Sequence, residues 1–264
     1  MTTFIGTPIG GALRRIYTDA RPAERVAYLV GAGLFASGML HLGVLVVSGG
    51  TWLGPLSLRK PMTFGLSFGL TLATLAWATS FLAVRPRVRT TLLGAFTATS
   101  VVETALVTMQ AWRGVPSHFN FETPFDTVVS TTLAAGGGVI ILTVLSFAGA
   151  ALAGDGAMSP SMRFAVRSGL LTLIVALAAG AVMIATGVTE VRSGDAQLAY
   201  DTAGFLKPLH AVAMHGILVL PALAWLLGFT GYAEARQLRY VRLAAAGYAV
   251  LLVIVTIGSI AARG

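Results

Sequence analysis

Seven stretches of this chain are each long and apolar enough to cross a lipid bilayer, at about 26–48, 62–84, 91–112, 127–153, 164–187, 209–231 and 241–262. A spanning helix needs about 20 mostly apolar residues to cover roughly 30 Å of hydrocarbon at 1.5 Å per residue. None of the seven alternates at strand period, which excludes an outer-membrane barrel. In lipid, every backbone donor and acceptor must be paired within its own segment, so all seven are expected to be helices. The fold expected is an all-α integral membrane protein, with residues 1–264 forming a single seven-transmembrane-helix bundle. Composition agrees, with 56% of residues apolar and 11% charged, where a soluble domain carries about 25% charged residues. The absence of cysteine removes disulfide scaffolds, thiolate zinc sites, Fe–S clusters and cysteine nucleophiles. No P-loop, dinucleotide fingerprint or G-x-S-x-G elbow occurs.

Orientation follows from the basic residues. One side of the expected bundle holds Arg14, Arg15, Arg21, Arg25, Arg85, Arg87, Arg89, Arg163, Arg167, Arg236, Arg239 and Arg242. The other holds Arg59, Lys60, Arg113, Arg192, Lys207 and Arg263. The richer side is expected to be cytoplasmic, which puts the N-terminus inside and the C-terminus outside. With Asp19, Glu24, Asp155 and Glu234 included, that face remains strongly basic and suited to anionic lipid headgroups. The net charge of +8 therefore requires no nucleic acid. A bacterial cytoplasmic (inner) membrane is the expected location. The first apolar run, of some 23 residues, lacks an early small-residue cleavage site and is read as a span, not a signal peptide. Arg14-Arg15 is not read as a twin-arginine signal, because Asp19, Arg21, Glu24 and Arg25 intervene. A retinal protein is excluded by the inverted orientation and by the lack of lysine in the seventh span.

Polar side chains inside a span cost a few kcal/mol each, so each needs a reason. Glu103 is the one acid within an expected span. With Thr99, Ser100 and Gln110 it forms a stripe at helical spacing that should face the interior. Two readings stand: an interhelical hydrogen-bond network, or a proton-accepting or metal-binding carboxylate. All four histidines fall toward the outer side: His41 in span one, His118 in the loop after span three, His210 and His215 at the start of span six. Five residues correspond to about 140° around a helix, so His210 and His215 should face different neighbours unless the helix bends. Pro221 would supply such a bend.

The segment 112–126 is the densest polar stretch outside the spans. It places Arg113, Ser117, His118, Asn120, Glu122 and Asp126 among aromatic residues. Interfacial anchoring needs only the aromatics and accounts for Trp52 and Trp112. A loop so loaded with functional groups is instead a candidate site on a rigid scaffold.

The motifs R-K-P at 59–61, R-G-x-P-S-H-F-N at 113–120 and H-x-x-x-x-H-G at 210–216 resemble those of an uncharacterised group of bacterial multi-pass proteins. That resemblance covers most of the chain and implies that these outer segments belong together. Ser37-x-x-x-His41 also looks like the Ser-x3-His element of seven-helix zinc hydrolases of the alkaline ceramidase and progestin-receptor-like kind. The chain departs from that pattern in the spacing of His210 and His215 and in having no aspartate within an expected span.

Four functional classes follow. A noncovalent haem b would use His41 with His215 or His210 as axial ligands and Arg59, Lys60 and Arg113 as propionate partners. Gly31, Gly38, Gly65, Gly69 and Gly136–Gly138 would let the macrocycle approach the backbones, unless they serve close helix packing. A metal-dependent enzyme would hold zinc, iron or copper on His41 and His215, with Glu103 and His118 as candidate catalytic groups acting on a lipid-like substrate. A transporter, channel or ligand sensor would use Glu103, Gln110 and the histidines to line a polar cavity. An accessory subunit of a larger complex would instead use the outer loops as a docking surface for a membrane-protein partner, and a homo-oligomer could form through the Gly-rich faces.

Overall fold

The structure, a computed structural model, describes residues 9–52, 54, 56–154 and 158–262. Asp155 and Arg263 of the charge argument lie outside the described residues, as does the side chain of Asp201. Regular structure among the described residues is all helical. It comprises α1 (Ile9–Thr18), α2 (Pro22–Ser48), α3 (Arg59–Ser80), α4 (Pro86–Trp112), α5 (Pro124–Ala153), α6 (Pro160–Arg192), α7 (Ala196–Thr202), α8 (Lys207–Leu227) and α9 (Glu234–Ala261). Seven of these, α2 to α6 with α8 and α9, are long and apolar enough to cross a membrane. The chain is a multi-pass membrane protein. Its exposed Leu40, Val47, Leu142 and Leu152 suit a lipid-facing surface.

Proline sets many of the starts. It stands in the first turn of α2, α4, α5, α6 and α8, where its missing N–H is not needed and its φ suits a helix. Thr123 and Ser159 cap α5 and α6 through their hydroxyls. The second span ends at Ser80, short of the expected residue 84, because Pro86 holds Arg85 in an extended conformation. The sixth ends at Leu227 instead of 231, where Gly228 closes the last turn. Pro221 sits inside a continuous α8. Sequence periodicity missed α1 and α7, which are too short to show an apolar run.

Successive spans alternate in direction. The connections after α2, α4 and α6 therefore share one end, termed the loop end. Those after α3, α5 and α8 share the arginine end with α1. Helix α3 packs on α2, α4 and α8, while α6 packs on α5, α8 and α9. The core between them is aliphatic and aromatic, with Leu72, Leu75, Phe96, Phe147, Leu170 and Ile217 fully buried.

The α2–α3 contact is made backbone to backbone. A Cβ at Gly38 would lie 2.5 Å from Leu66 N, and one at Gly69 would lie 2.6 Å from Gly31 O. Gly31, Gly38, Gly65 and Gly69 thus take the second of their two expected uses, close helix packing. At the arginine end the buried Arg89 donates to the carbonyls of Thr79 (2.5 Å) and Leu82 (2.6 Å) and lies 3.5 Å from Glu24. It thereby closes the carbonyl end of α3.

Candidate functional site

The loop between α4 and α5 is held by its own motif. Gly114 takes φ +69° and Phe119 φ +61°, so the chain reverses twice within six residues. Asn120 is buried and staples the turn. Its side-chain N–H donates to Pro116 O (3.3 Å), its side-chain oxygen accepts from Glu122 N (3.1 Å), and its backbone N–H donates to Ser130 Oγ (3.2 Å). The Ser130 hydroxyl in turn donates to Asn120 O at 2.9 Å. Phe119 seats its ring on Gly187 of α6, where a Cβ would lie 2.5 Å from Cζ. Each of these contacts fixes the position of His118.

His118 is half-buried between aromatic rings, 5.8 Å from Phe64 and 6.2 Å from Phe119 centre to centre, with Nδ1 3.0 Å from Ser117 Oγ. Burial, reinforced by the charges of Lys60 and Lys207, pushes its imidazole down to about 3. It is therefore neutral at physiological pH. Lys60 is also within electrostatic reach of Lys207 and Arg59. The loop end thus gathers three cations from two helix starts. Among the described residues none of the three has a carboxylate within salt-bridge distance. Arg59 lies over the Trp52 ring at 5.9 Å, and its Nε is buried without a hydrogen-bond partner. The N-terminal dipoles of α3 and α8 add to the same positive field.

Arg113 stands apart from this group. It pairs with Asp126 at 2.7 Å and donates to Gln110 Oε1, while Gln110 Nε2 donates to Asp126 Oδ1 at 2.8 Å. Asp126 also accepts from Thr123 Oγ1 at 2.6 Å. This closed network ties α4 to α5, and its charges cancel. Glu122 lies within electrostatic reach of Tyr200 of α7, whose phenol is pushed up by burial and by that carboxylate.

The histidines do not converge. His41 Nδ1–H donates to Ser37 O (2.8 Å), and its Nε2 accepts from Trp112 Nε1 (3.1 Å), so both ring nitrogens are engaged within α2 and α4. His210 Nδ1 donates to Ala176 O on α6 at 2.7 Å, whereas His215 is exposed and bonds back to Ala211 O at 2.6 Å. The structure gives His41 and His210 or His215 no shared partner: α3 packs on both α2 and α8, and the rings meet different elements. Among the described residues no group of three His, Asp or Glu side chains could share a metal ion. Glu103 and His118 are likewise apart, since Glu103 lies nine residues, roughly 13 Å of helix, below the end of α4. Glu103 is buried against Gly136 of α5 with Oε1 unpartnered, and it does not join the Gln110 network.

Sequence reasoning singled out Arg59, Lys60 and His118 but assigned them to haem or catalysis, and it left Lys207 out of the site. A signal was present: Lys207-Pro208 opens α8 as Arg59-Lys60-Pro61 opens α3. Together these features define a helical membrane protein with a cationic cluster at its loop end that no carboxylate among the described residues pairs. No protein-family model matches the sequence, and neither a curated protein nor a solved structure matches it.

Proposed function

We propose that the protein is a ligand-recognising membrane protein that captures a small anion, a carboxylate or a phosphate, at the loop end of the bundle. The observation that carries this reading is the gathering of Arg59, Lys60 and Lys207 with no carboxylate at salt-bridge distance among the described residues. Partly buried Arg59 and Lys60 lie within electrostatic reach of the exposed Lys207 and repel it, a cost that a bound anion offsets. Arg59 offers a fork to a carboxylate or phosphate, the two lysines offer point charges, and neutral His118 offers a hydrogen bond. The excess of Arg at the other end supports, by the positive-inside rule, an orientation with that end in the cytoplasm and this cluster outside, in a bacterial inner membrane. We prefer this reading to the haem or metal centre expected from the histidines, because His41 uses both ring nitrogens on Ser37 and Trp112 while His210 and His215 sit against other partners.

The test is a thermal-shift and calorimetric titration of the detergent-solubilised protein with inorganic phosphate, succinate and citrate, each against sodium chloride at matched ionic strength. At least one of the three should bind saturably, and Lys60→Gln or Lys207→Gln should weaken it at least tenfold. The same variants should be as stable as the wild type, or more so, without ligand, because they relieve repulsion. Absence of saturable binding by all three anions, or binding unaffected by both substitutions, would overturn the proposal.

A further inference from the structure

At the opposite end of the molecule, α9 is the least embedded span. Of its 28 residues, Gln237, Val241 and Ser259 are the buried ones. Between it and α6 runs a groove of about 650 Å³, floored by Leu220 of α8. Ala245, Ala246 and Ala249 of α9 are too short to fill it. The groove follows α9 from Arg242 to Ile257, about 22 Å at 1.5 Å per residue. Two of its three hydroxyls are turned back onto their own helices: Thr172 donates to Gly169 O at 2.8 Å and Thr256 to Leu252 O at 2.7 Å, with Ser168 the third. The interior is therefore predominantly apolar, and its size suits a ligand.

The arginine end of the groove has the opposite character. Arg242 lies over the Phe164 ring at 5.7 Å, and among the described residues no carboxylate pairs with it. A second hollow of about 490 Å³ continues past Arg242 and is lined by Arg239. Glu234, the nearest acid on α9, is committed to Ser161 N of α6 at 2.7 Å. An apolar channel of acyl-chain length that ends at two arginines matches an amphiphile with an anionic head.

We infer that the α6–α9 groove is a binding site for an anionic phospholipid, with an acyl chain along Ala245, Ala246 and Ala249 and its phosphate at Arg239 and Arg242. A helix from a second copy of this chain fits less well, since it would need an acid at the depth of Arg242. The lipid acts as the missing packing between α9 and α6. This inference is independent of the anion site at the loop end.

The test uses the full-length protein, delipidated in mild detergent and then supplied with phosphatidylglycerol or phosphatidylcholine. Phosphatidylglycerol should raise the thermal midpoint by about 3 °C more than phosphatidylcholine does, a shift readily read for a chain of this size. Arg242→Gln should abolish that difference. Ala249→Leu, which fills the groove, should lower the amount of phospholipid retained on purification, measured by mass spectrometry. Inorganic phosphate alone should not reproduce the shift, because it lacks the chain. Equal stabilisation by the two lipids, or a difference that survives in Arg242→Gln, overturns the inference. The chain has no cysteine, so Ala249→Cys can form a disulfide only between copies. Dimer cross-linking that phosphatidylglycerol fails to suppress would assign the groove to a second copy and overturn it as well.

Discussion

Phe119 rests its ring on the bare backbone of Gly187, which fastens the loop after α4 to the far helix α6. The left-handed φ of Phe119 is held by this contact and by the Asn120 staple beside it. Gly187→Ala should drive the ring off α6, cost about 1–3 kcal/mol by overpacking, and displace His118 from Lys60. The expected outcome is a lower thermal midpoint and weaker anion binding with normal membrane insertion. A variant with unchanged binding would mean that the loop does not position the site.

Arg89 predicts a larger effect. It is fully buried and serves two carbonyls and Glu24 at once. Arg89→Ala would strip the end of α3 of its donors, and removing one partner from such a buried pair costs roughly 3–5 kcal/mol. Arg89→Lys should rescue poorly, because one ammonium cannot span both carbonyls as a guanidinium does. Glu24→Gln should cost less than Arg89→Ala, since the carbonyl contacts remain. Thermal unfolding of the three variants in detergent should rank them in that order.

His118 gives a pH dependence with a definite sign. Its folded-state value is pushed down to about 3, whereas in an unfolded chain an imidazole titrates near 6.5. Below about 6.5 the unfolded chain therefore binds a proton that the folded protein refuses, and stability falls as pH drops from there toward 3. Between pH 6.5 and 5, above most carboxylate titrations, the thermal midpoint of the wild type should decline. That of His118→Gln should decline less. Parallel curves would refute the assignment.

Glu103 and Gly136 should be coupled. A Cβ at Gly136 would collide with Glu103 Oε1 and come within 3.2 Å of Thr99 Cγ2. Gly136→Ala should therefore be strongly destabilising in the wild type and milder in a Glu103→Ala background. Such a double-mutant cycle should yield a coupling of about 0.5–3 kcal/mol. Additive effects would show that the two helices adjust independently.

Much of this molecule is legible in the residue order. Runs of apolar residues about 20 long can satisfy their backbones in lipid only as helices, and prolines mark where five of those helices begin. The density of polar groups in 113–126 also identified the loop that carries His118, because such groups are out of place beside a membrane unless something holds them. Sequence alone could not assign partners. His41 matched His215 in residue type and expected depth, yet the glycine-tight α2–α3 contact turns His41 toward Trp112 and sets α3 between the two histidines. Lys207 stands 147 positions from Lys60, and only the packing of α3 on α8 makes their charges neighbours. Periodicity and hydropathy act within one segment, so they determine helices, ends and interior faces. Which polar groups meet depends on how those helices cross, and that is decided by side-chain volume at contacts far apart in the chain.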